Sequence, residues 1–228
     1  MFFFDPTIIM LIPVLIIAMY AQYKVKSTFK KYSEINSTVN RTAADIVRDL
    51  LTQNGINDVN VNRIKGELSD HYDPKNKVLN LSQSIYNSKS IAAIGVAAHE
   101  AGHAIQDAKG YTPLKIRASL VPAASIGSQW GLPMAIIGFF LQTEFLIILG
   151  FFMFLGAFIF HLITLPVEFN ASNRALTLLK SNNILNQKEL KGAKKVLRAA
   201  AFTYVSATLV AFVNLLRIVV LFGLGSDE

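Results

Sequence analysis

The sequence predicts a mainly α-helical, polytopic membrane protein with about four transmembrane helices and a cytoplasmic α+β domain built on a small β-sheet. Three observations carry that expectation. The chain of 228 residues is 52% apolar and only 16% charged, with a mean hydropathy of +0.41, whereas soluble domains carry about 25% charged residues. Four apolar stretches, at about 7–23, 120–141, 145–165 and 203–223, hold one formal charge between them, Arg217. All other charges fall outside these stretches, in residues that have an ordinary soluble composition. The two kinds of segment alternate, so residues 1–228 are expected to form one integrated domain. Intrinsic disorder is excluded, because it needs few apolar residues and many charges.

The first stretch, Thr7 to Tyr23, is short and contains Pro13, but Tyr20 and Tyr23 suit an interfacial end. It does not resemble a cleaved signal peptide, since Met1 to Asp5 lacks basic residues and no small-residue cleavage site follows. The second stretch is interrupted by Ser125, Gly127, Ser128, Gln129, Gly131 and Pro133, so a buried or re-entrant helix is its alternative reading. The others are long enough for a hydrocarbon core about 30 Å thick.

Orientation follows from the basic residues. Segment 24–118 holds 14 Lys and Arg and segment 167–202 holds 7, while the turn Gln142-Thr143-Glu144 and both ends hold none. The positive-inside rule then places 24–118 and 167–202 in the cytoplasm and both termini outside. The formal net charge of +7 reads as a topology and lipid-headgroup signal rather than a nucleic-acid footprint. The expected partners are therefore the lipid bilayer and no nucleic acid.

Within segment 24–118, a helix is expected near 41–54 with Gly55 at its end. A strand is expected at Val59 to Asn62, and a hairpin from Glu67–Tyr72 and Lys77–Ser82 across Asp73-Pro74-Lys75-Asn76. A helix should follow from Ser90 to Gly110. Segment 167–202 should hold two helices, the later one opening with a capping box at Asn186-Gln187-Lys188-Glu189.

The chemistry sits in His99-Glu100-Ala101-Gly102-His103. Positions i and i+4 of a helix lie about 40° apart around the axis, so His99 and His103 share a face and can share a metal ion. Neutral imidazole suits Zn²⁺, which in a catalytic site takes three protein ligands and keeps one position open. Such an ion acidifies a water, and Glu100 is placed to accept the proton. From Val96 to Ile105 these three are the only polar side chains, and burying them is costly unless they pair or bind metal. A satisfied core cluster is the plainer alternative.

Cysteine is absent, so the third ligand comes from Glu168, Asp107, His71 or His161. Asp107 would stretch one ion across three successive turns, and it suits a supporting or surface role better. His161 lies inside the third stretch, where ionisable groups are functional by default, or it satisfies itself against a neighbouring helix. Glu168 follows Leu165-Pro166-Val167 at the membrane interface and opens a segment that can lie against the motif helix. Chemistry alone ranks Glu168 first and leaves the others open. Arg217, deep in the fourth stretch, is expected to pair with Glu144 or to snorkel outward.

Four runs carry a family resemblance: His99 to Gln106, Asp70-His71-Tyr72-Asp73-Pro74, Leu165 to Ala175, and Arg198 to Val205. Together they resemble the YugP-like neutral zinc metallopeptidases of bacterial membranes over nearly the whole chain. More distantly, the layout is similar to the HtpX and CAAX-processing membrane gluzincins. That resemblance implies a zincin-like catalytic domain, one Zn²⁺, and a glutamate after a membrane span as third ligand, which is Glu168 here. Those relatives carry an aspartate four residues further on, where this chain has Ser172. The resemblance also implies an edge strand ahead of the motif helix that binds substrate backbone, with Lys77, Val78, Leu79, Asn80, Leu81 and Ser82 as the candidate and an interior strand as the alternative. His71, Arg174 and Tyr204 are donors near a motif that can stabilise an oxyanion, and the sequence does not choose among them.

The function expected is a zinc-dependent endopeptidase of the bacterial plasma membrane, acting at the cytoplasmic face on membrane or membrane-proximal polypeptides. A metal transporter would place ligands on several spans and usually carry a His-rich loop, yet the chain has four histidines. A non-catalytic scaffold would have no need of the full His99, Glu100, His103 set. No feature sets an oligomeric state.

Overall fold

The computed structural model describes residues 7–223, with side chains to residue 220. The element order is α1 (Ile8–Ser33), α2 (Ala43–Gln53), β1 (Asn60–Ile64), β2 (His71–Asp73), β3 (Val78–Ser82), α3 (Gln83–Tyr86), α4 (Ile91–Ala108), α5 (Thr112–Phe140), α6 (Glu144–Ser181) and α7 (Gln187–Gly223). The fold is mainly helical with one three-stranded sheet, as expected. Helices α1, α5, α6 and α7 are each long and apolar enough to cross a membrane. They run well past the apolar stretches, because helix continues without a break into polar sequence. In particular, Pro166 lies inside α6, so Glu168 continues that helix instead of opening a new one.

The chain divides into two compact units. The first comprises residues 7–22, 115–166 and 202–223, and the second comprises 23–114 and 167–201. In the first unit, α5 and the start of α6 form a helical hairpin closed by the amide of Thr143 on the carbonyl of Gly138. Small residues let their backbones approach closely. A methyl at Gly127 would lie 2.1 Å from the Met153 carbonyl oxygen, and one at Gly150 would lie 2.5 Å from that of Gly131. This is how helices pack where water supplies no driving force. Large apolar side chains such as Ile9, Phe140 and Phe152 face outward, as lipid-facing residues do. Arg217 is buried, with Nε donating to Thr7 Oγ1 and Nη1 to Asn214 Oδ1. Neither of these is the Glu144 pairing or the outward reach expected from sequence.

In the second unit, the apolar face of α2 (Ile46, Val47, Leu50, Leu51) packs in one core with Leu79, Leu81, Ile94, Ala97, Ile105 and Leu179. Thr42 caps α2, its side chain accepting from the Asp45 amide, and Gly55 stands at φ +75° just beyond the end. The turn from β2 to β3 is built by Asp73, whose Oδ1 accepts from the amides of Lys75 and Asn76. Ser90 caps α4 by accepting from the Ala93 amide. Asn186 and Glu189 form the expected capping box. Asn186 Oδ1 accepts from the Glu189 amide, and Glu189 Oε2 accepts from the Asn186 amide. Glu189 Oε1 also takes the Thr38 amide, which ties the start of α7 to the loop ahead of α2.

The sheet order is β1-β3-β2, with β1 parallel and β2 antiparallel to β3. This corrects one expectation. Lys77 to Ser82 is not an edge: Val78, Leu79 and Asn80 are paired on both sides, and the free edges belong to β1 and β2. The hairpin pattern is local and legible. The return of the more distant segment Asn60–Ile64 to the other side of β3 is a long-range pairing that no local pattern announces.

Candidate metal centre

Helix α4 is made almost entirely of small and apolar residues, and this lets its neighbours come close. A methyl on Gly102 would lie 2.6 Å from the Ala171 carbonyl oxygen of α6, and one on Gly95 would lie 3.3 Å from Ala193 Cβ of α7. The close approach at Gly102 sets the motif histidines against the part of α6 that carries Glu168. His99 Nε2 stands 3.2 Å from Glu168 Oε2, and His103 Nε2 stands 3.6 Å from the same oxygen. The two imidazole rings are edge to face, with centroids 4.7 Å apart. One donor atom from each of His99, His103 and Glu168 lies within 4.8 Å of the others.

These three side chains fit a zinc ion. Two donors about 2.0–2.2 Å from Zn²⁺ at tetrahedral angles are themselves about 3.3–3.6 Å apart, which matches both histidine–carboxylate separations. The outer ring nitrogens are held from behind. His103 Nδ1 is 2.9 Å from Gln106 Oε1, and His99 Nδ1 is 3.1 Å from Ser172 Oγ. Such backing fixes ring orientation and leaves the inner nitrogens as ligands. Ser172 thus supports a ligand with a neutral hydroxyl.

Glu168 is 2% exposed, and a carboxylate so buried is costly unless a cation faces it. Burial works to lower the His103 pKa, but the hydrogen bond to Glu168 and the charges of Glu100 and Glu168 outweigh it, and the ring is held above its ordinary value. The site therefore favours positive charge at its centre. Glu100 is 7% exposed and is not one of the three converging donors. Among the described residues its carboxylate accepts no hydrogen bond, so it is uncommitted beside the ligands.

The sequence profile of the family described as "Putative neutral zinc metallopeptidase" matches residues 7–223. The chain belongs to this zinc metallopeptidase family. It is 44% identical over 212 residues, 93% of its length and 94% of the relative's, to the "Putative membrane protease YugP" of Bacillus subtilis (strain 168). No solved structure matches it. Zinc is the family's metal, and His99, His103 and Glu168 are positioned to hold it. The apolar helices and the membrane-protease relative together make this zinc metallopeptidase homologue a membrane protein.

The other candidates have different places. Asp107 Oδ2 accepts from Tyr72 Oη and Lys77 Nζ, so it ties α4 to β2 and to the turn ahead of β3. Lys77 is held above its ordinary pKa by this bond. His71 is exposed on β2, with Nδ1 on the Ser69 carbonyl and Nε2 facing the Asn80 amide. Arg174 donates from Nε to Asn170 Oδ1. His161 and Tyr204 belong to the first unit. None of these is in the three-donor group.

Sequence reasoning missed Gln106 and Asn170. Gln106 is fully buried, and its Nε2 donates to the Val167 carbonyl and to Asn170 Oδ1. The signal was available: Gln106 is three residues past His103 on the same helix face, and it follows directly on the apolar run that ends at Ile105.

Proposed function

We propose that the protein is a zinc-dependent endopeptidase that cleaves membrane or membrane-proximal polypeptides, with its site facing the cytoplasm of a bacterial cell. The observation that carries this reading is the convergence of His99, His103 and Glu168 on one point, with the uncommitted carboxylate of Glu100 beside them. The fourteen basic residues of 24–118 and the seven of 167–202, set against loops that have none, support the cytoplasmic orientation.

Zn²⁺ held by these three side chains would polarise the scissile carbonyl and acidify a water. With the ion bound, Glu100 would be the group that takes up the water's proton and returns it to the leaving amine, so one carboxylate would serve both proton transfers. The two imidazoles hold their places through Gln106 and Ser172, and both face Glu168. Backbone pairing with substrate is assigned to the outer edge of β2, the free edge tied to the motif helix through Tyr72 and Asp107. Of the three oxyanion donors, Arg174 ranks first. Its terminal nitrogens carry no bond among the described residues, whereas both ring nitrogens of His71 are engaged. Tyr204 ranks below Arg174 because it falls outside the unit that carries the ligands.

The test is Glu100→Gln in purified protein supplied with a mixture of bacterial membrane proteins. Peptide release should fall by about 10²- to 10⁴-fold with zinc still bound. Release at the wild-type rate would refute Glu100 as the base.

A further inference from the structure

The buried amide of Gln106 lies between groups that cannot change their hydrogen-bonding sense. The Val167 carbonyl can only accept, so the Gln106 atom 2.9 Å from it is the nitrogen. The Arg174 guanidinium can only donate, so the Asn170 atom 2.7 Å from Nε is the oxygen. That oxygen also takes the second Gln106 N–H, at 3.0 Å. Gln106 Oε1 is thereby forced to face His103 Nδ1 at 2.9 Å as an acceptor. His103 Nδ1 must then carry a hydrogen, so in the neutral ring Nε2 keeps the lone pair that a metal ion needs.

We infer that Gln106 is a positioning residue for the metal, its amide locked by Asn170 and Arg174 so that His103 is held in the one tautomer that can ligate through Nε2. The same amide pins α6 at Val167, one residue before Glu168, so a single side chain registers ligands from two helices. Arg174 acts in this chain through Nε and Asn170, in addition to any contact its terminal nitrogens make. The inference rests on the zinc centre and not on what the protein cleaves.

Zn²⁺ affinity is measured on the full-length protein in detergent by competition with a chromogenic chelator. The His103 tautomer is read from ¹⁵N-histidine spectra of the metal-free protein at alkaline pH, where the ring is neutral and only four histidines contribute. Gln106→Met keeps the side-chain length and removes every polar bond. It should weaken zinc binding about 10- to 100-fold and move the neutral ring toward the Nε2–H tautomer. Asn170→Ala should weaken binding about 3- to 10-fold, whereas Asn170→Asp, which keeps the oxygen acceptor, should restore it.

The double variant Gln106→Met/Asn170→Ala should bind zinc no more weakly than Gln106→Met alone, because Asn170 acts through Gln106. A merely structural role would give additive losses and an unchanged tautomer. Gln106→Met with wild-type affinity and a retained Nδ1–H signal overturns the inference. If that variant does not fold, equal affinities for Asn170→Ala and Asn170→Asp overturn it. Absence of zinc binding in the wild type would instead refute the metal centre, and the tautomer signal would still judge the role of Gln106.

Discussion

Gly102 offers the sharpest mechanical test of how the site is built. A Gly102→Ala methyl would lie 2.6 Å from the Ala171 carbonyl oxygen and 3.2 Å from both its carbonyl carbon and Cα. All three are backbone atoms of α6, so no side chain can swing away. Restoring contact at about 3.4 Å requires α4 and α6 to separate by about 0.8 Å, an overpacking cost of about 1–3 kcal/mol. The gain in helix propensity, about 1 kcal/mol, offsets only part of it. The separation also lengthens the 3.2 and 3.6 Å spacings between the histidines and Glu168, and a metal site tolerates only about 0.2 Å in its ligand distances. Zinc affinity should therefore fall by at least about 10-fold, read by chelator competition, together with a lower thermal midpoint. Gly95→Ala is the control, since its methyl meets Ala193 of α7, not α6, and at the milder distances of 3.3 Å to Cβ and 3.6 Å to Cα, so it should leave zinc affinity unchanged. Wild-type zinc affinity in Gly102→Ala would refute the claim that close helix approach sets the ligand geometry.

Two other expectations follow from the same unit. Glu168→Gln removes the anionic ligand, so metal analysis of the purified variant should show much less than the wild-type zinc content, and unchanged stoichiometry would refute the ligand set. Asp70 accepts from both the amide and hydroxyl of Ser82, yet burial outweighs those bonds and raises its pKa. A raised carboxyl pKa means that the stability it contributes is fully present below the unfolded value of about 3.9 and is lost as pH rises through the folded one. Asp70→Asn should thus raise the thermal midpoint at neutral pH, with the advantage vanishing on acidification, and a lower midpoint at neutral pH would contradict this.

Much of the architecture was legible because membranes impose a simple rule. Uncharged runs long enough to cross became helices, and Ser90 and Asn186 marked the helix starts that their side chains cap. His99, Glu100 and His103 were legible from spacing. Glu168 was only a leading alternative from its chemistry, because nothing local says which segment of α6 meets α4. The deciding contact is the backbone-to-backbone approach at Gly102, a pairing of residues 69 apart. The interior position of β3 was hidden for the same reason, since Asn60–Ile64 reaches it from outside the hairpin. Helix continuity through Pro166 ran against local preference, and the unbroken course of α6 overrode it. Gln106 went unread because the polar census of the motif helix stopped at Ile105, one residue short.

The central claim is that the His99, His103 and Glu168 site holds the zinc that performs peptide hydrolysis. It is tested most directly by measuring peptide release from membrane-protein substrates with the purified protein as isolated, after zinc removal, and after zinc is returned. The account predicts one zinc per chain, loss of release when it is removed, and recovery when it is restored. Peptide release that continues at the same rate in the zinc-free protein would contradict it.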